Sequence, residues 1–209
     1  MTLYVPSHFR VDDRDRLVDF IARNAFGTLV SSAAGGLDVS HIPFVPDVGA
    51  DGSLRLLGHV ARANGHWKSL EGATDVVAIF RGAHAYVSPT WYEHLPAVPT
   101  WNYAVVHAHG KVRLLDEEAL RGLLGRLTST YEEGNPNPWR MEEQPADFIA
   151  KLLPLIVGFA IDVDRLEGKF KLSQNRPGAD AARVIDALEA QGAKEVAGLM
   201  REHPPARQG

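Results

Sequence analysis

From Phe26 to Leu114 the chain runs through apolar stretches separated by turn-forming breakers, with room for only one short helix between them. That order constrains the fold more than any single motif, because strands that follow one another without intervening helices pair most simply as antiparallel neighbours. Phe26–Ser31, Leu37–Val45, Leu54–Val60, Asp75–Val87 and Thr100–Leu114 read as strands, the fourth interrupted at Arg81-Gly82. Gly35-Gly36, the run 47–53 and Pro96 with Pro99 punctuate them. Leu155, Val157, Phe159, Ile161 and Val163 alternate on one face, the pattern of a half-buried strand.

Helices flank this block. Residues 12–23 carry Leu17, Phe20 and Ile21 at helical spacing behind Asp12 or Asp13 as cap. Residues 116–132 place Leu120, Leu123, Leu124, Leu127 and Tyr131 on one stripe. Shorter helices are predicted over 63–70 and 147–153, and a C-terminal helical part over about 178–203, followed by a frayed tail from His203. The strands do not alternate with helices, so a dinucleotide-binding sheet is not expected. The reading is α+β: a barrel-like antiparallel sheet with peripheral helices, as one domain over 1–209.

Composition narrows the chemistry. The 209 residues contain no cysteine, which excludes disulfides, thiol nucleophiles and zinc-thiolate sites. Net charge is −4 with histidine neutral, a poor balance for a broad phosphate-binding surface. No stretch approaches the roughly 20 apolar residues of a membrane span, and MTLYVPSHF lacks a signal-peptide pattern, so a cytoplasmic location is expected. Neither GxSxG, GxxxxGK[ST] nor GxGxxG occurs. His107 and His109 share a strand face, but no HExxH or partner carboxylate stands at motif spacing, and no metal site is expected.

Three segments carry candidate chemistry. Ala83–Gly110 mixes Tyr86, Trp91, Tyr92, Trp101 and Tyr103 with four histidines and Asn102, groups suited to a pocket for a planar amphipathic ligand. A hairpin with an aromatic core is the alternative. In GHVARAN (58–64), His59 closes a strand while Arg62 and Asn64 stand at a helix entrance, where guanidinium and free N–H groups would hold a phosphate. An ordinary helix start is the alternative. In EGKFKLSQNR (167–176), Lys169, Lys171, Ser173 and Asn175 fall on one face of an extended chain. A solvated strand edge is the alternative there.

The opening MTLYVPSHF, GHVARAN, AYVSPTWY, VPTWNY, IVGF at 156–159 and GKFKLSQN together resemble the PaiB family, FMN-binding negative transcriptional regulators, in order along residues 1 to about 188. The resemblance implies an FMN-binding split β-barrel, related to pyridoxamine-phosphate oxidases and flavin reductases, and a homodimer with flavin at its interface. It carries His59, Arg62 and Asn64 over to the flavin phosphate. It adds Trp101, Asn102, Lys171, Ser173 and Gln174 as cofactor-binding residues, with Ser40 and His41 as further candidates. It also implies transcriptional control, while the lack of a helix-turn-helix signature and the acidic balance argue against direct DNA binding. A flavin-dependent oxidoreductase or flavin reductase is the alternative function, and a flavin-free split barrel a third.

Overall fold

The structure, a computed structural model, describes residues 3–33, 35–71 and 75–205. Its strands are β1 (Arg10–Val11), β2 (Phe26–Ala33), β3 (Gly36–Pro43), β4 (Val45–Val48), β5 (Leu54–Ala61), β6 (Val76–Val87), β7 (Thr100–Leu114) and β8 (Ile156–Lys171). The α-helices are α1 (Arg14–Arg23), α2 (His66–Leu70), α3 (Glu117–Glu132), α4 (Ala146–Leu152), α5 (Gly178–Ala190) and α6 (Lys194–Glu202). The strands form one antiparallel sheet in the order β3-β2-β6-β7-β8-β5-β4, with β1 paired to β8. Registers such as Leu29↔Ser40 and His59↔Gly158 set which residues face the same way. No helix among the described residues is long and apolar enough to cross a membrane.

Contacts divide the chain into two units. The first comprises Met1–Phe20, Arg81–His107 and Glu167–Gly209; the second comprises Ile21–Phe80 and Ala108–Leu166.

In the second unit, α3 begins as expected. The Asp116 carboxylate accepts the Ala119 N–H at 2.8 Å, answering one of the orphan donors of a helix start. Leu120, Leu123 and Leu127 of α3 pack with Val45, Ile149 and Leu153 in one core cluster. Tyr131, expected on the same stripe, is exposed instead, because the stripe loses its cover in the last helical turn. The half-buried strand expected over 155–163 is buried on both faces from Val157 to Ile161. Small residues on its second face explain this: a Cβ on Gly158 would meet Leu120 Cδ1 at 2.9 Å, so glycine lets α3 close onto the strand. The expected loop at 47–53 is shorter, because Val45–Val48 pairs with β5 as an edge strand, where Pro46 is tolerated.

The first unit holds β1 and the C-terminal helices α5 and α6. Asp13, not Asp12, caps α1 by accepting the Arg16 N–H at 3.2 Å. β8 runs on to Lys171, eight residues past the expected end, and Gly168 admits β1 beside it: a Cβ there would lie 2.4 Å from Leu17 Cδ2. α5 and α6 occupy the predicted C-terminal helical range, and beyond Pro205 the expected frayed tail lies outside the described residues. The break expected at Arg81-Gly82 does not end β6. Instead the burial phase slips by one residue: Val76, Ala78 and Phe80 are buried, then His84 and Tyr86 are exposed. Such a slip is how a bulge re-aims side chains without ending a strand.

Candidate functional site

In the second unit, strand alternation decides which candidates face inward. On β3, Ser40 and Ile42 are buried while Val39 and His41 are exposed. Ser40 Oγ lies 2.8 Å from Nδ1 of His66, and Ser31 Oγ lies 2.9 Å from its Nε2. Asn64 donates through Nδ2 to Ser40 Oγ at 3.0 Å, and its Oδ1 accepts the His66 N–H at 3.1 Å. Ser31, Ser40 and His66 are all nearly inaccessible. Burial holds the His66 imidazole below its ordinary pKa, against the opposing pull of Asp38. A neutral ring suits this setting, since it offers one donor and one acceptor to two hydroxyls. The network is closed and polar, and it pins α2 to β2 and β3.

Arg62 lies outside that network. Its Nε donates to Pro154 O at 2.6 Å and its Nη2 to Ile156 O at 3.3 Å. Its guanidinium sits 5.5 Å from the centroid of Trp67, whose indole N–H returns a bond to Arg62 O at 3.0 Å. His59 is half-buried on β5, with a buried Nδ1 that has no hydrogen-bond partner, and burial lowers its pKa. His41 is exposed and its Nδ1 lies 3.0 Å from Thr28 Oγ1. The structure therefore joins Ser40 to Asn64 and leaves Arg62, His59 and His41 in separate contacts.

In the first unit, β7 turns Asn102 and Ala104 inward and Trp101 and Tyr103 outward. Asn102 is fully buried and donates through Nδ2 to Ser173 Oγ at 3.0 Å and towards Met200 Sδ at 3.3 Å. Ser173 Oγ donates back to Asn102 Oδ1 at 3.2 Å. Ser173 has φ 69°, a left-handed conformation costing on the order of 1–3 kcal/mol in a non-glycine residue. That turn corrects the extended reading of 167–176: Lys169 and Lys171 share a face of β8, but Ser173 swings inward and is buried, while Asn175 is exposed. Gln174 closes the turn locally, its Oε1 accepting the Leu172 N–H and its Nε2 donating to Phe170 O, both at 2.7 Å.

Lys171 is held from the other side. Its ammonium donates to Thr100 Oγ1 at 2.6 Å and to Trp101 O at 2.7 Å. Burial, then the charges of Lys169 and Arg176, lower its pKa. Among the described residues, none of Lys169, Lys171 and Arg176 forms an ion pair with a carboxylate. Their charges lie against rings instead: Lys169 is 5.6 Å from the Tyr103 centroid and Arg176 4.3 Å from that of Tyr92. Trp101 is 52% exposed, with the rings of His84 and Tyr86 each 6.1 Å away. Flat exposed rings thus stand beside positive charge that no carboxylate balances among the described residues.

Sequence reasoning missed His66, Ser31, Thr100 and Asp180. The signal for His66 was its spacing from Leu70: a five-residue helix buries one face, and residues four apart share it. Asp180, fully buried, accepts the Glu93 and His94 N–H groups at 2.8 and 3.2 Å and His94 Nδ1 at 3.1 Å. Burial pushes its carboxyl up, and these hydrogen bonds outweigh that and hold it below the ordinary value. Its partners lie 86 and 87 residues away in sequence, beyond any local pattern.

Residues 3–165 match the family described as "Putative FMN-binding domain". The chain is 34% identical over 203 residues to the Protease synthase and sporulation protein PAI 2 of Bacillus subtilis (strain 168), covering 96% of this chain and 97% of that one. Among solved structures, it resembles an FAD and heme binding protein of Mycobacterium smegmatis with TM-score 0.56 and 17% identity, covering 78% of this chain and 73% of the other. A flavocytochrome of Azotobacter vinelandii gives TM-score 0.55 and 16% identity, with 80% and 72% covered. At these identities the structural likeness shows the fold, a split β-barrel.

Proposed function

This chain belongs to the PaiB family of FMN-binding proteins, and from that premise we propose that it is a flavin-responsive negative regulator of transcription acting as a cytoplasmic homodimer. FMN is the cofactor of the family, and the donor chemistry of this chain fits it. The flavin is a planar ring system carrying a phosphate. The first unit offers the face of Trp101 to the ring and the unpaired charges of Lys171, Lys169 and Arg176 to the phosphate. This juxtaposition carries the proposal. Asn102, Ser173 and Gln174 act as positioning residues, since their hydrogen bonds are made to each other and to the turn that carries Lys171. In the second unit, His59, Arg62, Asn64, Ser40 and His41 are proposed as a separate set of flavin contacts, on the family likeness alone. Bound FMN supplies electron transfer; the protein supplies position and electrostatics.

Regulation is proposed from the relative named for sporulation and protease synthesis. The net charge of −4 supports an effect on DNA that is weak or indirect, because non-specific affinity for DNA comes from Lys and Arg neutralising phosphates. The dimer is supported by the edge strand β3, whose outward Leu37 and Val39 are exposed beside unpaired backbone groups. Equilibrium titration of FMN, followed by quenching of its fluorescence, tests the cofactor. Saturable one-to-one binding supports the reading, and absence of binding ends it. Light scattering at micromolar protein tests the dimer, with a monomer mass as the contradicting result. Tight, sequence-specific DNA binding at physiological salt, indifferent to FMN, would replace indirect control by direct repression.

A further inference from the structure

In the second unit a cavity of about 310 Å³ opens beside Arg62 and Trp67. Its floor is aliphatic: Leu115, Leu120, Leu153 and Val157 line it. Polar groups stand at its mouth, and most of them are already answered. Asp116 accepts the Ala119 N–H, and Glu117 accepts from Nε and Nη2 of Arg121 at 3.1 and 2.9 Å. Trp67 gives its indole N–H to Arg62 O. Arg62 differs. Two of its nitrogens are tied to the carbonyls of Pro154 and Ile156, which fixes the plane of the guanidinium against Trp67, while Nη1 has no partner among the described residues. A guanidinium held in place by carbonyls and an indole keeps its full positive charge, because neither kind of partner neutralises it.

We propose that this cavity binds a small carboxylate with an aliphatic body, its carboxylate on Arg62 and its chain on the leucine floor. The volume lies at the lower end of the roughly 300–1,000 Å³ typical of ligand pockets, which suits a short-chain rather than a long-chain acid. A carboxylate also matches the planar fork of arginine better than a neutral hydroxyl does. The inference goes beyond flavin binding and shares only Arg62 with it.

Sodium octanoate is the probe, added to the full chain carrying ¹³C-labelled leucine methyl groups. Saturable shifts at Leu115, Leu120 and Leu153 are expected, and 1-octanol should bind roughly tenfold or more weakly for want of the charge-assisted bond. Arg62→Met should weaken octanoate by a similar factor, with a cooperative thermal transition, lowered by the lost bonds to Pro154 O and Ile156 O, showing that the variant is folded. The aromatic acid 3-phenylpropionate, run in parallel, distinguishes the body: equal or tighter binding would overturn the aliphatic assignment. Absence of saturable shifts, shifts confined to other methyl groups, or equal affinity for 1-octanol would overturn the site. FMN should compete with octanoate, because both readings use Arg62; FMN binding without competition would take Arg62 out of the flavin site and leave the cavity reading intact. Loss of octanoate binding with FMN binding intact leaves the cofactor reading standing; the reverse result leaves the cavity standing.

Discussion

The two units treat their polar groups in opposite ways. In the second, Ser31, Ser40 and His66 satisfy one another in a buried, uncharged network that the exposed Asn64 joins from outside. In the first, Asn102 and Ser173 pair internally, yet they brace a turn whose Lys171, with Lys169 and Arg176, carries positive charge that no carboxylate answers. A closed network stabilises and specifies a packing arrangement, because a buried polar group is costly only when it is left unpaired. Charge held in place without a counter-charge serves a partner from outside the chain. On the proposed reading, the comparison separates residues that build the scaffold from residues that would meet a ligand, although both sets are polar and Ser40, Asn64 and Lys171 alike were candidates in the sequence.

The largest effect that would sharpen this contrast is expected at His66. His66→Leu removes the partner of two buried hydroxyls and should destabilise the fold by about 2–5 kcal/mol, read by urea denaturation. A loss below about 0.5 kcal/mol would show that the network is not structural. Lys171→Met should do the reverse. It should weaken FMN by roughly ten- to a hundredfold, the worth of a charge-assisted hydrogen bond, with a smaller fall in the urea midpoint than His66→Leu, from the lost bonds to Thr100 and Trp101. A variant that lost stability and kept its affinity would place Lys171 among the scaffold residues.

Acid provides the next test. Burial lowers the pKa of His66 and of His59 in the folded chain. Above the unfolded value near 6.5 both states are neutral and pH has no effect through these groups; as pH falls below it, the unfolded chain takes up protons that the fold refuses. Stability should therefore fall from about pH 6.5 downwards, by at most ~1.4 kcal/mol per pH unit for each histidine. His66→Leu should flatten that slope, and an unchanged slope would remove His66 as its source. The smallest effect concerns Lys171 at alkaline pH. Its pKa is lowered by burial and by its cationic neighbours, so the ammonium is lost below the usual lysine range, and FMN affinity should decline there. Lys171→Met should bind FMN with no such decline.

Much of this fold was legible in the order of apolar runs and breakers, because strand alternation and helix stripes are local properties. Asp116 and the leucines behind it announced α3, and the alternation from Leu155 announced β8. What escaped depended on distant contacts. Nothing local shows that Gly158 and Ala160 lie under a helix rather than in water, or that Val45–Val48 finds β5 despite Pro46. In the candidate site, Trp101 was legible as a ring among polar groups, though not its exposure, and Lys171 as a strand lysine. The inward turn at Ser173 was not, because its left-handed backbone is held by Asn102, 71 residues away. His66 was hidden for the same reason: its hydroxyl partners lie 35 and 26 residues upstream on neighbouring strands.

The central claim is that the unbalanced charge of the first unit recognises a phosphate. Titrating FMN and riboflavin side by side tests it directly, because the two share the ring and differ by the phosphate alone. FMN should bind roughly ten- to a hundredfold more tightly than riboflavin, and Lys171→Met should erase most of that difference. Equal affinity of the unaltered protein for the two flavins would contradict the account.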